Sequence, residues 1–290
     1  MKEIVIISGK GGTGKSSICS ALAYILKEQS VIADCDVDAA DLHLILQPQS
    51  SQTSEFVSGV KAVIDPDKCI SCGICANVCR FSAISAGEKA YQVNLLDCEG
   101  CGYCYYVCPE GAISLPEQKV GACFISQSRL GNTLVHARLN IGAENSGKLV
   151  SKVKSLARQQ TEMEHKDFLL VDGSPGIGCP VIASLSSANF VILVTEASKS
   201  GISDLKRVWE LVKKFKIPGA CIINKADINP DICKQISKYL KQEKILALQE
   251  IPYSDDFPKA IAMGRTLVEQ NTTKWQPFFQ QMWATIKETL

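Results

Sequence analysis

Eight of the fourteen cysteines in this 290-residue chain fall in two runs, Cys69-Cys72-Cys75-Cys79 and Cys98-Cys101-Cys104-Cys108, each spaced C-x2-C-x2-C-x3-C. Cysteines at that density suit tetrahedral sulfur ligation of a metal. Zinc sites usually join two close cysteines to two distant ones. Here three cysteines bunch and a fourth follows four residues later, twice over, which points to two [4Fe–4S] clusters in which the fourth cysteine of each run serves the other cluster. The expected ligand sets are Cys69, Cys72, Cys75 and Cys108 for one cluster, and Cys98, Cys101, Cys104 and Cys79 for the other.

A second chemistry lies at the N-terminus. Gly9-Lys10-Gly11-Gly12-Thr13-Gly14-Lys15-Ser16 follows a β-branched run and precedes an apolar-periodic stretch, the strand–loop–helix context of a phosphate-binding loop. Glycines let successive backbone N–H groups turn toward a phosphate, and the helix N-terminus adds a favourable dipole. Residues Gly11, Gly12, Thr13, Gly14, Lys15, Ser16 and Ser17 are the expected nucleotide-binding set, with Lys15 reaching the β- and γ-phosphates and Ser16 ligating Mg²⁺. Phe168 to Asp172 reads as an apolar strand ending in a carboxylate that serves the metal, usually through water. The following Gly173-Ser174-Pro175-Gly176 supplies backbone able to respond to the γ-phosphate, with Gly176 counted among the binding residues. Asp34, Asp36, Asp38 and Asp41 cluster after the second strand and would repel one another unless a cation sits among them. Asp36 is expected to position the attacking water and feel the metal, with Asp38 the second choice.

Lys10 together with Lys15, Asp36, Asp172 and the Asp-Gly-Ser-Pro-Gly stretch resembles the deviant-Walker ATPases, the superfamily of MinD, the nitrogenase iron protein and cluster-carrier ATPases. The resemblance implies ATP and ADP as ligands and an ATP-sandwich homodimer. In such a dimer Lys10 reaches the phosphates held by the opposite subunit. Asn224-Lys225-Ala226-Asp227 resembles the family's base-side motif, with Asn224 on adenine and Pro252 framing the base from the other side. The cysteine segment resembles a bacterial two-cluster ferredoxin, although Arg80 stands where the first run would have proline.

The elements that must position these groups read as an α/β fold, a P-loop NTPase with a mostly parallel sheet covered by helices on both faces. The cysteine segment interrupts it as an inserted α+β ferredoxin-like domain. The boundaries expected are 1–60 and 117–290 for the two parts of the ATPase domain and 61–116 for the insert, with 120–147 the least legible stretch. A hydrophobic content of 46% and a net charge of +1 are ordinary for a globular chain and supply no field for nucleic acid. The N-terminus lacks a signal-peptide pattern, so a cytoplasmic location is expected. Trp275, Phe278, Phe279, Met282, Trp283 and Ile286 suit docking on the chain's own core better than a membrane. The leading expectation is a dimeric ATPase whose nucleotide state controls electron transfer to a redox partner. The alternatives are an iron–sulfur cluster assembly or transfer ATPase acting on a client protein, or a non-catalytic nucleotide-binding redox-sensing regulator.

Overall fold

The computed structural model describes residues 1–37, 41–140 and 146–290. In chain order the first elements are β1 (Lys2–Ser8), α1 (Lys15–Leu26), β2 (Ser30–Asp34), α2 (Leu42–Leu46) and β3 (Gln49–Val60). There follow β4 (Val63–Ile64), α3 (Ile74–Val78), β5 (Ile84–Ala86), β6 (Tyr91–Val93), α4 (Tyr103–Val107) and β7 (Ile113–Ser114). The chain continues through β8 (Glu117–Gln127), β9 (Thr133–Leu139), α5 (Ser146–Met163), β10 (Phe168–Pro175), α6 (Cys179–Leu185), β11 (Phe190–Glu196) and α7 (Lys199–Phe215). It ends with β12 (Gly219–Asn224), α8 (Pro230–Gln242), β13 (Leu246–Ile251), α9 (Asp256–Ala262), α10 (Leu267–Gln270) and α11 (Thr272–Thr289).

The chain divides into two compact units, Met1–Ser54 with Ala122–Arg138 and Ser146–Leu290, and Glu55–Gly121 with Leu139–Asn145. A nine-stranded sheet runs β13-β12-β11-β1-β10-β2-β9-β8-β3. Its middle is parallel: β1 lies between β10 and β11, and β2 pairs with β10 and β9. Central strands buried on both faces need continuous apolar runs, and Ile4 to Ile7 are wholly buried. Ile4 and Ile6 point to one face and join Ile18, Leu22, Trp275 and Phe279 in a core cluster beneath α1 and α11. Helices α5, α6 and α7 pack against the strands β2, β10, β1 and β11. From 146 onward helices and strands alternate, as an α/β fold requires, and the chain ends in α9, α10 and α11. Among the described residues, no helix is long and apolar enough to cross a membrane.

The smaller unit carries two antiparallel pairs, β4 with β7 and β5 with β6. Helices α3 and α4 each begin after a glycine in the left-handed region, Gly73 and Gly102. Ala62, Cys75, Ile84, Cys104 and Ile113 form its core, with Cys79, Cys98 and Cys108 partly buried around them. Burial pushes the Cys75 and Cys104 thiols upward. Among the described residues, no three Cys, His, Asp or Glu side chains are grouped to hold a metal ion. This corrects the expectation of two [4Fe–4S] clusters, and of metal binding, at Cys69, Cys72, Cys75, Cys79, Cys98, Cys101, Cys104 and Cys108. The inner cysteines pack as small apolar residues. The ferredoxin-like character expected for 61–116 rested on those clusters.

Candidate nucleotide site

Strand β1 delivers the chain to Ser8, and the loop from Gly9 carries it into α1 at Lys15. Gly14, at φ +95°, forms the left-handed corner before the helix, and a Cβ there would lie 2.7 Å from Asn224 Nδ2. Only glycine satisfies both conditions. Above Gly11 and Gly12 the space is open, which leaves room for phosphate oxygens against backbone N–H groups at the start of a twelve-residue helix. The resulting cavity, about 410 Å³, is lined by Gly11 to Ser17, Asp36, Asp41, Asn224 and Lys225, and by Tyr253, Phe257 and Ile261 along an apolar wall.

The electrostatic centre of this cavity is Lys15. Its Nζ lies 2.7 Å from Asp172 Oδ1 and 3.1 Å from Asp36 Oδ2, and the side chain is almost wholly buried. Burial works against its charge, but the Asp172 and Asp36 carboxylates outweigh that and hold the ammonium charged, its pKa raised. Asp34 is the third carboxylate here, 1% exposed, and one of its oxygens accepts the Asp36 N–H at 3.2 Å. Among the described residues, its other oxygen is buried without a partner. Burial first, and then the Asp172 charge, push its carboxyl well above the usual range. The cation that the aspartate cluster demanded is therefore Lys15, which lies only 21 residues before Asp36 but is brought there by the sheet order.

Lys10 stands apart from this centre. Its Nζ donates to Glu196 Oε1 at 2.5 Å and to Ser200 Oγ at 2.9 Å, so it is turned toward the start of α7. The other Glu196 oxygen holds Lys225 Nζ at 3.1 Å, and that ammonium also donates to the Gly12 carbonyl at 3.3 Å. Burial opposes charge on Glu196, but bonds from Lys10 and Lys225 outweigh it and keep the carboxyl below its ordinary range.

The sequence-predicted set is thus partly assembled. Gly11, Gly12, Thr13, Gly14, Lys15, Ser16, Ser17, Asp36 and Asn224 line one cavity, and Asp172 meets it through Lys15. Gly176, in the left-handed region at φ +91°, follows the cavity-lining Pro175. Pro252 lines a neighbouring groove with Asp227 and Pro230. Asp38 lies outside the described residues. Tyr253, Phe257 and Ile261 were not legible as site residues, because an aromatic or branched side chain beside a pocket has the same sequence signature as one in a core.

Residues 4–268 match the family model of the CobQ/CobB/MinD/ParA nucleotide binding domain. An uncharacterized protein of Methanocaldococcus jannaschii is 34% identical over 288 residues, spanning 99% of this chain and 96% of its own. A second uncharacterized protein of that organism is 27% identical over 235 residues, spanning 79% and 83%. Among solved structures, the fold is similar to the cell division ATPase MinD of Pyrococcus furiosus, with a TM-score of 0.56, 18% identity, and coverage of 100% and 99%. It is also similar to the septum site-determining protein MinD of Pyrococcus horikoshii complexed with Mg-ADP, with a TM-score of 0.57, 18% identity, and coverage of 99% and 97%.

Proposed function

The chain belongs to the CobQ/CobB/MinD/ParA family of nucleotide-binding proteins and is a P-loop ATPase, and we propose that it works as a Mg²⁺-dependent ATP-driven homodimer. The observation that carries this reading is the division of labour between two lysines of one loop. Lys15 is buried in the cavity between Asp172 and Asp36, whereas Lys10 points out of it toward Glu196. A loop lysine turned away from its own cavity can, once released from Glu196, serve a cavity on a second copy, where it would stabilise charge developing on the transferred phosphoryl group. Asp36, at the cavity wall, orients the attacking water.

The donors for a hard cation fit this site. Oxygen ligands suit Mg²⁺, and the site offers the Ser16 hydroxyl, Asp36, and an Asp172 oxygen that is buried without a partner among the described residues. A Mg²⁺ held there would supply positive charge against the phosphates of a bound nucleotide. Lys15 then exchanges its carboxylate partners for phosphate, and Ser16 remains at the helix start. The expected redox or iron–sulfur client rested on the clusters, as did the electron-transfer, cluster-transfer and redox-sensing readings.

The test is ATPase rate against protein concentration, with sedimentation velocity in ATP and in ADP. A specific activity that rises with concentration, alongside a dimer seen with ATP and absent with ADP, supports the reading. A concentration-independent rate from a monomer overturns it.

A further inference from the structure

The stretch Asn224-Lys225-Ala226-Asp227 sits at the end of β12, beside the cavity, and its spacing suits direct reading of a purine. Its polar side chains are nevertheless engaged within the chain. Asn224 is 2% exposed, its amide donating to the Thr13 carbonyl at 2.8 Å while its oxygen accepts the Lys225 N–H at 2.9 Å. Lys225 is held by Glu196 and the Gly12 carbonyl. Asp227 Oδ1 accepts the backbone N–H of Tyr253 at 2.6 Å. Asp227 also lines the neighbouring groove and not the nucleotide cavity.

A carboxylate that reads guanine must turn both oxygens to the N–H groups on the base edge. Asp227 has one oxygen committed to Tyr253, on a side chain facing the other groove. The bond has a different consequence. Ala226 N–H is bonded to the Ile251 carbonyl at 2.9 Å, so the end of β13 is tied to this stretch twice, through Ile251 and Tyr253. That double tie fixes the turn in which Tyr253 leaves the strand. The Tyr253 side chain is half exposed, at 54%, and lines the cavity beside Phe257 and Ile261. A planar base needs such a flat apolar surface.

We propose that Tyr253 is the base-facing residue of this site and that Asp227 is its positioning residue, acting through the Tyr253 N–H and not on the base. The proposal rests on the ATPase reading and adds to it how the base is held. Base contact then comes from ring stacking and from backbone groups of the turn, with the four-residue stretch serving as a clasp between the phosphate loop and that turn.

The experiment measures affinities for fluorescent ATP and GTP analogues, and steady-state KM and kcat, in the native chain and in Asp227→Ala, Asp227→Asn, Tyr253→Ala and Tyr253→Phe. Asp227→Ala is expected to weaken both nucleotides by a similar factor, about ten-fold, raising KM while kcat stays within roughly two-fold. Asn at this position keeps an acceptor oxygen and is expected to rescue most of that loss. Tyr253→Ala, at an exposed side chain that does not threaten folding, is expected to lose roughly ten-fold, and Tyr253→Phe to keep the affinity. The inference is overturned if Asp227→Asn changes the ATP-to-GTP ratio about ten-fold or more, or if Asp227→Ala or Tyr253→Ala binds ATP as the native chain does. Absence of hydrolysis in the native chain would sink the ATPase reading, and the binding titrations would still decide the roles of Tyr253 and Asp227.

Discussion

Lys10 Nζ lies 2.5 Å from Glu196 Oε1, so the forward lysine of the phosphate loop is tied to its own subunit. Lys225 occupies the other Glu196 oxygen, and Glu196 therefore keeps a cationic partner when Lys10 leaves. This makes release of Lys10 inexpensive, as an exchangeable latch requires. Glu196→Gln weakens the hold and is expected to lower, by roughly five-fold, the protein concentration at which ATP-dependent association is half complete, read by sedimentation velocity. Lys10→Ala is expected to retain nucleotide binding and to lose about 100-fold or more in turnover. Unchanged turnover in Lys10→Ala would remove Lys10 from the chemistry.

Three carboxylates, Asp34, Asp36 and Asp172, surround the single ammonium of Lys15, and Asp34 has the worst position. Its folded pKa is raised well above 3.8, chiefly by burial. Below about pH 3.8 the carboxyl is protonated in both states and costs nothing. As the pH rises above that value the unfolded chain ionises more readily, and stability is lost through the folded pKa. Asp34→Asn removes the penalty while keeping an oxygen for the Asp36 N–H. It is expected to stabilise the chain by about 1–2 kcal/mol at pH 7.5, a gain that vanishes near pH 3.5, as measured by denaturant titration at the two pH values. A destabilised variant at pH 7.5 would mean that Asp34 is held ionised by Lys15.

How much of this arrangement the amino acids announce depends on the kind of force involved. Ile4 to Ile7 must be apolar because β1 is covered on both faces, so the strand and the glycine loop after it are legible from composition and order alone. Strand β3 is not legible. It ends the sheet, and among its described side chains Phe56 is buried while most of the others are exposed, so it shows neither an apolar run nor clean alternation. The β8–β9 hairpin is hidden for a related reason, since its turn is set by Ser128 and Asn132 hydrogen bonds inside a polar sequence. Cysteine spacing fixed neighbours along the chain, but the burial of Cys75 and Cys104 depends on Ile84 and Ile113 from distant strands. Tyr253 is held beside the cavity by the bond from its backbone N–H to the Asp227 carboxylate, 26 residues away, a pairing that apolar periodicity does not encode.

His136 on β9 gives the fold an acid-sensitive point. Its ring stacks on Phe124 at a centroid distance of 5.0 Å, and Nε2 lies 3.2 Å from Ser126 Oγ. Burial, reinforced by nearby His43, pushes its pKa down from 6.5 to about 4. The folded chain therefore prefers the neutral ring. Its contribution is complete above about pH 6.5 and is lost as the pH falls toward 4. Between pH 7 and pH 4.5 the native chain is expected to lose about 2–3 kcal/mol through this group. His136→Gln, which cannot titrate, should show a flatter profile over the same interval by chemical denaturation. Parallel profiles for the two proteins would assign the acid sensitivity elsewhere.

The C-terminal helix offers a test with two readouts, because its aromatic residues suit either an internal dock or a membrane surface. Trp275, Phe279, Met282 and Ile286 of α11 are buried in the cluster that contains Ile4, Leu22 and Phe190. Trp275 Nε1 donates to Asp256 Oδ2 at 2.8 Å, which fixes the helix start against α9. A side chain with 0% exposure in such a cluster leaves a cavity when truncated. Phe279→Ala is expected to cost about 3–5 kcal/mol of unfolding free energy, whereas Gln280→Ala, at an exposed position of the same helix, should stay within about 0.5 kcal/mol. Co-sedimentation with anionic vesicles supplies the second readout. A helix committed to the core leaves vesicle binding equal in the native chain and both variants, since Phe279 never reaches the lipid. A helix that served the membrane would reverse the pattern, with vesicle binding lost in Phe279→Ala and stability almost unchanged.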